Sequence, residues 1–243
     1  MSKAYVETDR RDKKMYRVED KYSCSEIELL ALQNRIGAVL RPDANESGPD
    51  GYSIISLYFD DLADSCYQDT LDGQEVRDKY RIRIYNDSLD EIRLEVKQKK
   101  DSRIRKKSKS INREQMYMLM DGQCIADEAS ADDPATLFNI AIRTRGLRPK
   151  VIVAYERKAY VFEPGNTRIT FDRNVRASNR TELFGHKDIA YDLLREQDAV
   201  LEVKYDEFIP GFLLQLLELG NMQQSAFSKY QMCREIYEGD AAY

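Results

Sequence analysis

Residues 75–85 read E75-V-R-D-K-Y-R-I-R-I-Y85, with cations at every second position: Arg77, Lys79, Arg81 and Arg83. In an extended strand, side chains two residues apart lie on the same face. The four cations therefore share one face, and the mostly apolar residues between them share the other. Like charges on one face repel each other unless anionic groups lie among them. The stretch therefore predicts one wall of a polar-lined β tunnel that holds a polyanion.

The same alternation of charged and apolar residues recurs in four other segments. Their charged and polar faces carry Arg17, Glu19 and Lys21; Glu95, Lys97 and Lys99; Arg168, Thr170 and Asp172; and Glu202 and Lys204. Each segment taken singly favours an ordinary antiparallel sheet with a solvated outer face. The five segments together favour a tunnel, because in each of them Lys or Arg recurs on one face or accompanies a lone carboxylate.

The strand-like segments predict the fold class. They span 16–22, 53–60, 75–86, 90–99, 103–111, 150–162, 166–173 and 198–205. Eight strands in a chain of this size suit a closed barrel or tunnel. Capping residues, prolines and glycines predict helices over about 26–40, 113–120, 134–146, 212–219 and from Ser228 onward. We therefore expect an α+β fold: an eight-stranded antiparallel β tunnel with helices packed outside, forming one domain over 1–243 with its core at about 15–236.

Composition excludes several classes of protein. The chain has 243 residues, 42% of them hydrophobic, and a net charge of −5, which is unlike a general nucleic-acid binder. Four scattered cysteines and one histidine, His186, make a zinc site improbable and favour a reducing cytoplasm. The N-terminal residues lack the apolar core of a signal peptide, and no segment is long and apolar enough to cross a membrane.

Cations and carboxylates within such a channel have different predicted roles. Arg81 and Arg83 have no acidic residue between them, so we expect phosphate rather than a local ion pair as their partner. Carboxylates in a basic channel suit a hard divalent cation, Mn²⁺ or Mg²⁺, and the candidates are Glu19, Glu95 and Glu202.

Two further basic segments each leave two interpretations open. The run R105-K-K-S-K109 fits either a solvated edge strand or a strand at the tunnel mouth that attracts anions. Ser228 and Lys229 stand at a predicted helix start, which fits either a plain N-cap or a phosphate site.

In this order and spacing, the motifs resemble the VTC, or polyphosphate polymerase, domain family. This family is a branch of the CYTH, or triphosphate tunnel metalloenzyme, superfamily. The resemblance covers about residues 15–236. Its carriers are V18-E-D-K-Y22, S56-L-Y-F-D60, R77-D-K-Y-R-I-R-I-Y85, L94-E-V-K-Q-K99, A154-Y-E-R-K-A-Y160, R168-I-T-F-D172, L201-E-V-K-Y205 and S228-K-Y230. It implies a tunnel open at both ends that binds the triphosphate of a nucleotide with a divalent metal and makes polyphosphate from ATP.

The resemblance also implies roles for individual residues. The positions that match phosphate-binding residues of the family are Lys21, Arg81, Arg83, Lys97, Arg157, Arg168, Lys229 with Ser228, and either Lys107 or Lys109. Lys79 and Lys204 join this set because they share strand faces with its members. Glu202 matches the metal-binding glutamate. One position departs from the superfamily pattern Glu-x-Glu-x-Lys, since Arg17 replaces the first glutamate, which weakens a hydrolase interpretation.

We therefore expect a phosphotransferase that moves the γ-phosphate of ATP onto polyphosphate. Arg81, Arg83, Arg157, Arg168 and Lys97 are the predicted catalytic cations. Expected ligands are ATP, polyphosphate, pyrophosphate and tripolyphosphate. Eukaryotic relatives also carry a phosphate-sensing domain and membrane helices. We expect neither in this chain, so a separate membrane protein is the expected partner if the product is exported. Two alternatives stay open: a tripolyphosphatase or nucleoside triphosphatase of the same fold, and a non-catalytic polyphosphate or nucleotide sensor.

Overall fold

The computed structural model describes residues 18–46, 48, 50–100, 103–194, 199–217, 222, 224 and 228–238. Its strands are β1 Val18–Cys24, β2 Arg41–Pro42, β3 Tyr52–Asp60, β4 Val76–Tyr85, β5 Ser88–Lys100, β6 Arg103–Ile111, β7 Arg148–Phe162, β8 Thr167–Ser178, β9 Asp192–Leu193 and β10 Ala199–Tyr205. Its α-helices are α1 Glu26–Gly37, α2 Ser65–Leu71, α3 Arg113–Met120, α4 Pro134–Arg145, α5 Gly211–Leu217 and α6 Lys229–Glu238.

Eight long strands form one antiparallel sheet in the order β1-β10-β8-β7-β3-β4-β5-β6. All eight predicted strands are confirmed over the described residues, and so are the α+β class and the tunnel-like fold; the predicted strand residues 16, 17 and 198 lie outside the described residues. The short strands β2 and β9 pair with β7 and β8 respectively. Within the described residues, no backbone pairing joins the edge strands β1 and β6, so the hydrogen-bonded sheet itself is open. Side chains bridge the gap instead, since Lys97 on β5 lies 3.1 Å from Glu19 on β1.

Helices cover the apolar face of this sheet. On β4, Tyr80, Ile82 and Ile84 are buried on the face opposite the arginines. Phe138 of α4 packs edge-on against the rings of Phe59 and Tyr80, with centroids 5.3 and 5.2 Å apart. Because the apolar face is covered from outside, the alternating cations point to the inner, concave side.

The predicted helix starts are also present. Ser25 with Glu28 and Asn112 with Gln115 form reciprocal capping boxes at α1 and α3. The α1 helix ends at Gly37, earlier than expected. The last predicted residues of the 212–219 helix, 218 and 219, lie outside the described residues. No helix in the described part of the chain has the length and hydropathy needed to cross a membrane.

Asp60, the last residue of β3, ties three elements together. Its buried carboxylate accepts hydrogen bonds from the backbone N–H groups of Asp61, Cys66 and Tyr67, at 2.9–3.0 Å. It also accepts a 2.6 Å bond from the hydroxyl of Tyr230 on α6. With these four donors, the carboxylate satisfies backbone N–H groups before and at the start of α2 and fixes α6 against the sheet. The N-terminal end of α6 is thereby held beside the concave face.

Candidate functional site

The concave face of the sheet encloses a cavity of about 910 Å³. The cationic side chains that line it are Lys21, Arg77, Lys79, Arg81, Arg83, Lys97, Lys99, Lys106, Arg157, Arg168, Lys204 and Lys229. Glu19, Glu202 and Ser228 also line it, as do five tyrosines, Tyr52, Tyr58, Tyr85, Tyr155 and Tyr230. The structure thus brings most of the predicted site residues to one place, with Glu95, Lys107 and Lys109 as the exceptions.

On β6, the residue that faces the cavity is Lys106. It pairs across the ladder with Lys97, whose side chain also lines the cavity. Lys107 and Lys109 alternate to the outer face, where Lys107 donates to the carbonyl of Ala131 and Lys109 lies 2.9 Å from Glu128. The expectation that Lys107 or Lys109 lines the tunnel is therefore corrected to Lys106, because strand side chains alternate between faces.

Glu95 is a counterion for cations rather than a group facing the open cavity. It is 1% exposed, and Arg81 Nε donates to it at 2.6 Å, with Arg83 Nε 3.7 Å away and Lys106 in contact. Burial raises the pKa of Glu95, but the charges of Arg81 and Arg83 outweigh burial and hold it well below its usual range. Unlike Glu19 and Glu202, this carboxylate does not line the cavity, which argues against its predicted role as a metal ligand. The expectation that Arg81 and Arg83 lack an acidic partner is also corrected, because that partner lies on the next strand.

A second buried carboxylate orients Arg157. Asp172 on β8 accepts two hydrogen bonds from this guanidinium, both 2.7 Å long, and lies 2.6 Å from Lys229 of α6. Burial raises the pKa of Asp172, but Arg157 and Lys229 outweigh burial and bring it to about 2. The fork geometry fixes the plane of the guanidinium. The alternation in the sequence puts Asp172 on the charged face of its strand, but its pairing with Arg157 depends on the neighbouring strand and was not predicted.

Glu19 and Glu202 form the carboxylate pair of the cavity, and they share Lys21 and Lys204. Glu202 lies 3.1 Å from Lys204 and 3.6 Å from Lys21, while Glu19 lies 3.2 Å from Lys21 and 3.8 Å from Lys204. Burial raises the pKa of Glu202, but these cations, Arg157 and a hydrogen bond with Glu19 hold it well below its usual range.

This carboxylate pair fits a divalent cation with phosphate ligands. Mg²⁺ and similar ions commonly take one or two carboxylates and complete their shell with water and phosphate oxygens. Within the described residues there is no group of three or more acidic, histidine or cysteine side chains that could hold an ion alone. Glu19 and Glu202 therefore suit an ion that arrives with a phosphate ligand. Arg17, the departure from the superfamily pattern, lies outside the described residues.

Tyrosines position several of the cations. Arg81 donates to the hydroxyl of Tyr58 at 2.8 Å, and Arg168 donates to that of Tyr52 at 2.9 Å. Tyr155 lies beneath two cations, with Lys229 Nζ 4.8 Å from the centroid of its ring. These tyrosines are not among the predicted site residues, although Tyr52 and Tyr58 stand at alternate positions of β3 and share its inner face.

Comparison with known proteins identifies the family. The model of the VTC domain matches residues 16–237, which is most of the chain. This chain belongs to the VTC domain family. None of the curated proteins searched matches this VTC domain.

Solved structures share the fold of this VTC domain. A putative adenylyl cyclase from Hippeastrum, described as having a dominant triphosphatase activity, is 14% identical, with a TM-score of 0.56 over 91% of this chain and 96% of that chain. A putative adenylate cyclase from Bacillus halodurans is 11% identical, with a TM-score of 0.54 over 87% of this chain and 93% of that chain. At these identities the likeness shows the fold alone, and that fold is the CYTH-like triphosphate tunnel.

Three lysines of the VTC domain cavity, Lys79, Lys97 and Lys106, have unusually low pKa values. Burial is the main reason that the pKa of Lys79 falls to about 7. The neighbouring charges of Lys97, Lys21 and Arg77 lower it further. Burial also lowers the pKa of Lys97 to about 8, against the opposing effect of Glu19. Crowded, buried cations of this kind bind polyanions well because an anion relieves both their repulsion and their desolvation.

These pKa values predict that the ligand-free domain becomes more stable as pH rises from about 7 to 9, below the range in which the tyrosines of the unfolded chain ionise. Burial lowers the pKa of Lys106 to about 8, so Lys79, Lys97 and Lys106 lose protons in the folded state while the unfolded chain keeps them up to a pKa near 10.5. The unfolded state then binds more protons, and stability rises with pH. Each kcal/mol gained should raise Tm by about 2–4 °C. Thermal unfolding across this pH range measures the effect.

Lys79→Met isolates the contribution of one lysine. The variant should be more stable than the wild type near pH 6.5, where Lys79 is charged, and the difference should disappear towards pH 10. The matched control is Lys187→Met on the exposed surface, which should follow the wild-type curve. A wild-type Tm that falls between pH 7 and 8.5 would contradict the low lysine pKa values.

Proposed function

We propose that this VTC domain is a phosphotransferase that moves the γ-phosphoryl group of ATP onto the end of a polyphosphate chain. The observation that carries the proposal is the cavity of about 910 Å³ in which arginines are held in fixed orientations by buried carboxylates. Prearranged cations stabilise charge on a transferring phosphoryl group without reorganising during the reaction. Membership of the VTC domain family supports the same reaction.

The proposed reaction needs positioning and charge more than covalent chemistry. An oxygen of the terminal phosphate of the acceptor chain attacks the γ-phosphorus, the bond from that phosphorus to the β-γ bridging oxygen breaks, and ADP leaves with that oxygen. Arg81, Arg83, Arg157 and Arg168 would neutralise the equatorial oxygens, with Lys97 as a further cation. The acceptor is itself anionic at neutral pH, so it requires no side chain to remove a proton.

Glu19 and Glu202 are the residues that would hold a divalent ion, Mn²⁺ or Mg²⁺. CYTH-like tunnel enzymes generally use divalent metals, and such an ion supplies further neutralisation of phosphate charge when bound. Lys21 and Lys204, which contact both carboxylates, would turn towards phosphate oxygens when the ion takes their place.

A hydrolase of the same fold is the less favoured candidate. Water needs a base to become a nucleophile, and an effective base has a pKa near the working pH. The pKa of Glu202 lies well below its usual range, so its carboxylate is a weak proton acceptor, and Lys79, with a pKa of about 7, is the cavity group better suited to act as a base. A phosphate acceptor requires no base, and membership of the VTC domain family supports transfer over hydrolysis. The predicted cytoplasmic location and separate membrane partner stay predictions.

The test is incubation of the purified protein with ATP and Mn²⁺, followed by gel analysis of the products. A polymerase should give ADP and a ladder of polyphosphate that is degraded by an added polyphosphatase. Arg83→Met should lose the ladder, because Arg83 is a buried cation of the cavity wall. The matched control Arg173→Met removes an arginine that pairs with exposed Asp50 and should keep it. Orthophosphate without polymer would establish a hydrolase, and tight ATP binding with no product would establish a sensor.

A further inference from the structure

The two ends of the cavity differ in chemistry, and the first end is aromatic. Tyr52 and Tyr85 stand at one end with ring centroids 6.3 Å apart and planes at 50°. Ile54 is two residues from Tyr52 on β3, and it pairs across the β3–β4 ladder with Tyr85. Arg168 donates to the hydroxyl of Tyr52 at 2.9 Å, which holds that ring in place. Asn45 adds an amide to the same cavity. Two tyrosines, an aliphatic side chain and an amide suit a flat heterocycle better than they suit phosphate.

The opposite end concentrates positive charge. Across the β4–β5 ladder, Arg77 stands directly opposite Lys99, and Lys79 stands directly opposite Lys97. Like charges in such pairs destabilise a sheet unless an anion neutralises them. Lys97 has such a partner, because the carboxylate of Glu19 lies 3.1 Å from its Nζ. Lys79 Nζ hydrogen-bonds to the hydroxyl of Ser228 at 2.8 Å and makes no ion pair with a carboxylate among the described residues.

The arginines nearer the aromatic end are already neutralised. Arg157 is paired with Asp172, and Arg168 is in contact with Asp43. The unneutralised charge is therefore displaced along the cavity from the aromatic rings. Lys79 and Tyr85 are six residues apart on one strand, which is about 20 Å at ~3.3 Å for each residue.

We propose that the two ends bind different parts of the nucleotide and its product. The base of the nucleoside triphosphate stacks on Tyr85 beside Tyr52, and its phosphates extend towards Lys79. The γ-phosphate then faces the lysine end, so the acceptor chain enters, and the lengthened chain leaves, past Arg77, Lys79 and Lys99. This inference rests on the proposed function, which it deepens by assigning a nucleobase subsite and a direction to the chain.

The test is the ratio of ATP affinity to tripolyphosphate affinity, measured by isothermal titration calorimetry in the absence of turnover. Stacking of one base on an aromatic ring is worth about 1–3 kcal/mol by alanine substitution, and about 1.4 kcal/mol is tenfold in affinity. Tyr85→Ala should therefore weaken ATP about tenfold or more and leave tripolyphosphate within about twofold. Tyr85→Phe should keep the wild-type ratio, because its ring remains.

A variant at the opposite end should behave differently. Lys79→Gln should weaken tripolyphosphate and ATP by similar factors, so that their ratio stays at the wild-type value, and should weaken long-chain polyphosphate most. Tyr117→Ala on exposed α3 is the control for loss of a tyrosine and should change neither affinity.

The outcomes separate this subsite from the proposed function. If wild-type protein binds neither tripolyphosphate nor ATP, the proposed function fails as well. If tripolyphosphate binds but Tyr85→Ala leaves the ratio unchanged, or lowers both affinities equally, the nucleobase subsite is overturned while the phosphate tunnel stands. A Lys79→Gln variant that selectively lowers ATP affinity would reverse the proposed direction.

Discussion

Replacing Glu202 by glutamine should lower metal-dependent turnover by about a hundredfold or more, the loss typical when one charge-stabilising group or metal-site residue is removed. The carboxylate faces the cavity beside Glu19, and the pair forms the oxygen-donor set for a divalent ion. In a titration with Mn²⁺, half-maximal activity should require a higher Mn²⁺ concentration, and the maximum activity should be lower.

The same substitution should have the opposite effect on metal-free binding. Glu202 lies 3.1 Å from Lys204, 3.6 Å from Lys21 and 3.7 Å from Arg157, so its removal leaves these cations less neutralised. Tripolyphosphate should then bind more tightly in the presence of a chelator, and the Tm of the ligand-free protein should fall. Glu91→Gln, at an exposed carboxylate, is the control. If the variant binds tripolyphosphate more weakly without metal, the Glu202 carboxylate does not oppose the binding of anions. If the variant keeps wild-type turnover, Glu202 has no role in metal binding.

The strands and the cavity wall could be predicted because alternation is a local property of the sequence. In the stretch from Arg77 to Arg83, every cation stands at an odd-numbered position. If the stretch is a strand, all of these cations therefore share one face. The same reasoning does not work for β6. Arg105, Lys106, Lys107 and Lys109 put cations at both parities, and the sequence alone does not say which parity faces inward. Pairing of Lys106 with Lys97 supplies that information, and it depends on the assembled sheet.

Partners distant in sequence could not be predicted for a related reason. Arg157 and Asp172 are 15 residues apart, and Tyr230 and Asp60 are 170 apart, so each contact exists only once the strands and helices are placed. The α2 helix was missed because its N-cap, Asp64, has a left-handed backbone with φ of 54° and makes no side-chain capping bond. The usual sequence signal for a helix start depends on such a bond.

Replacing Arg157 by methionine should cause the largest loss of stability. Asp172 is fully buried and would keep its negative charge with Lys229 as its nearest cation. Removing one partner of a buried ion pair costs about 3–5 kcal/mol, and each kcal/mol lowers Tm by about 2–4 °C in a domain of this size. We therefore expect Tm to fall by about 10 °C, measured by thermal unfolding at pH 7. Arg173→Met, which breaks partly exposed pairs with Asp50 and Glu156, should lower Tm by about 4 °C or less.

A companion double substitution separates the structural role of Arg157 from its proposed role towards phosphate. Arg157→Met with Asp172→Asn removes the buried negative charge along with the guanidinium, so much of the lost stability should return. Tripolyphosphate affinity should not return, because the double variant still lacks the cation that faces the cavity. If the double variant recovers both stability and affinity, Arg157 serves only to neutralise Asp172. If it recovers stability alone, the guanidinium is a phosphate ligand that its buried partner holds in place.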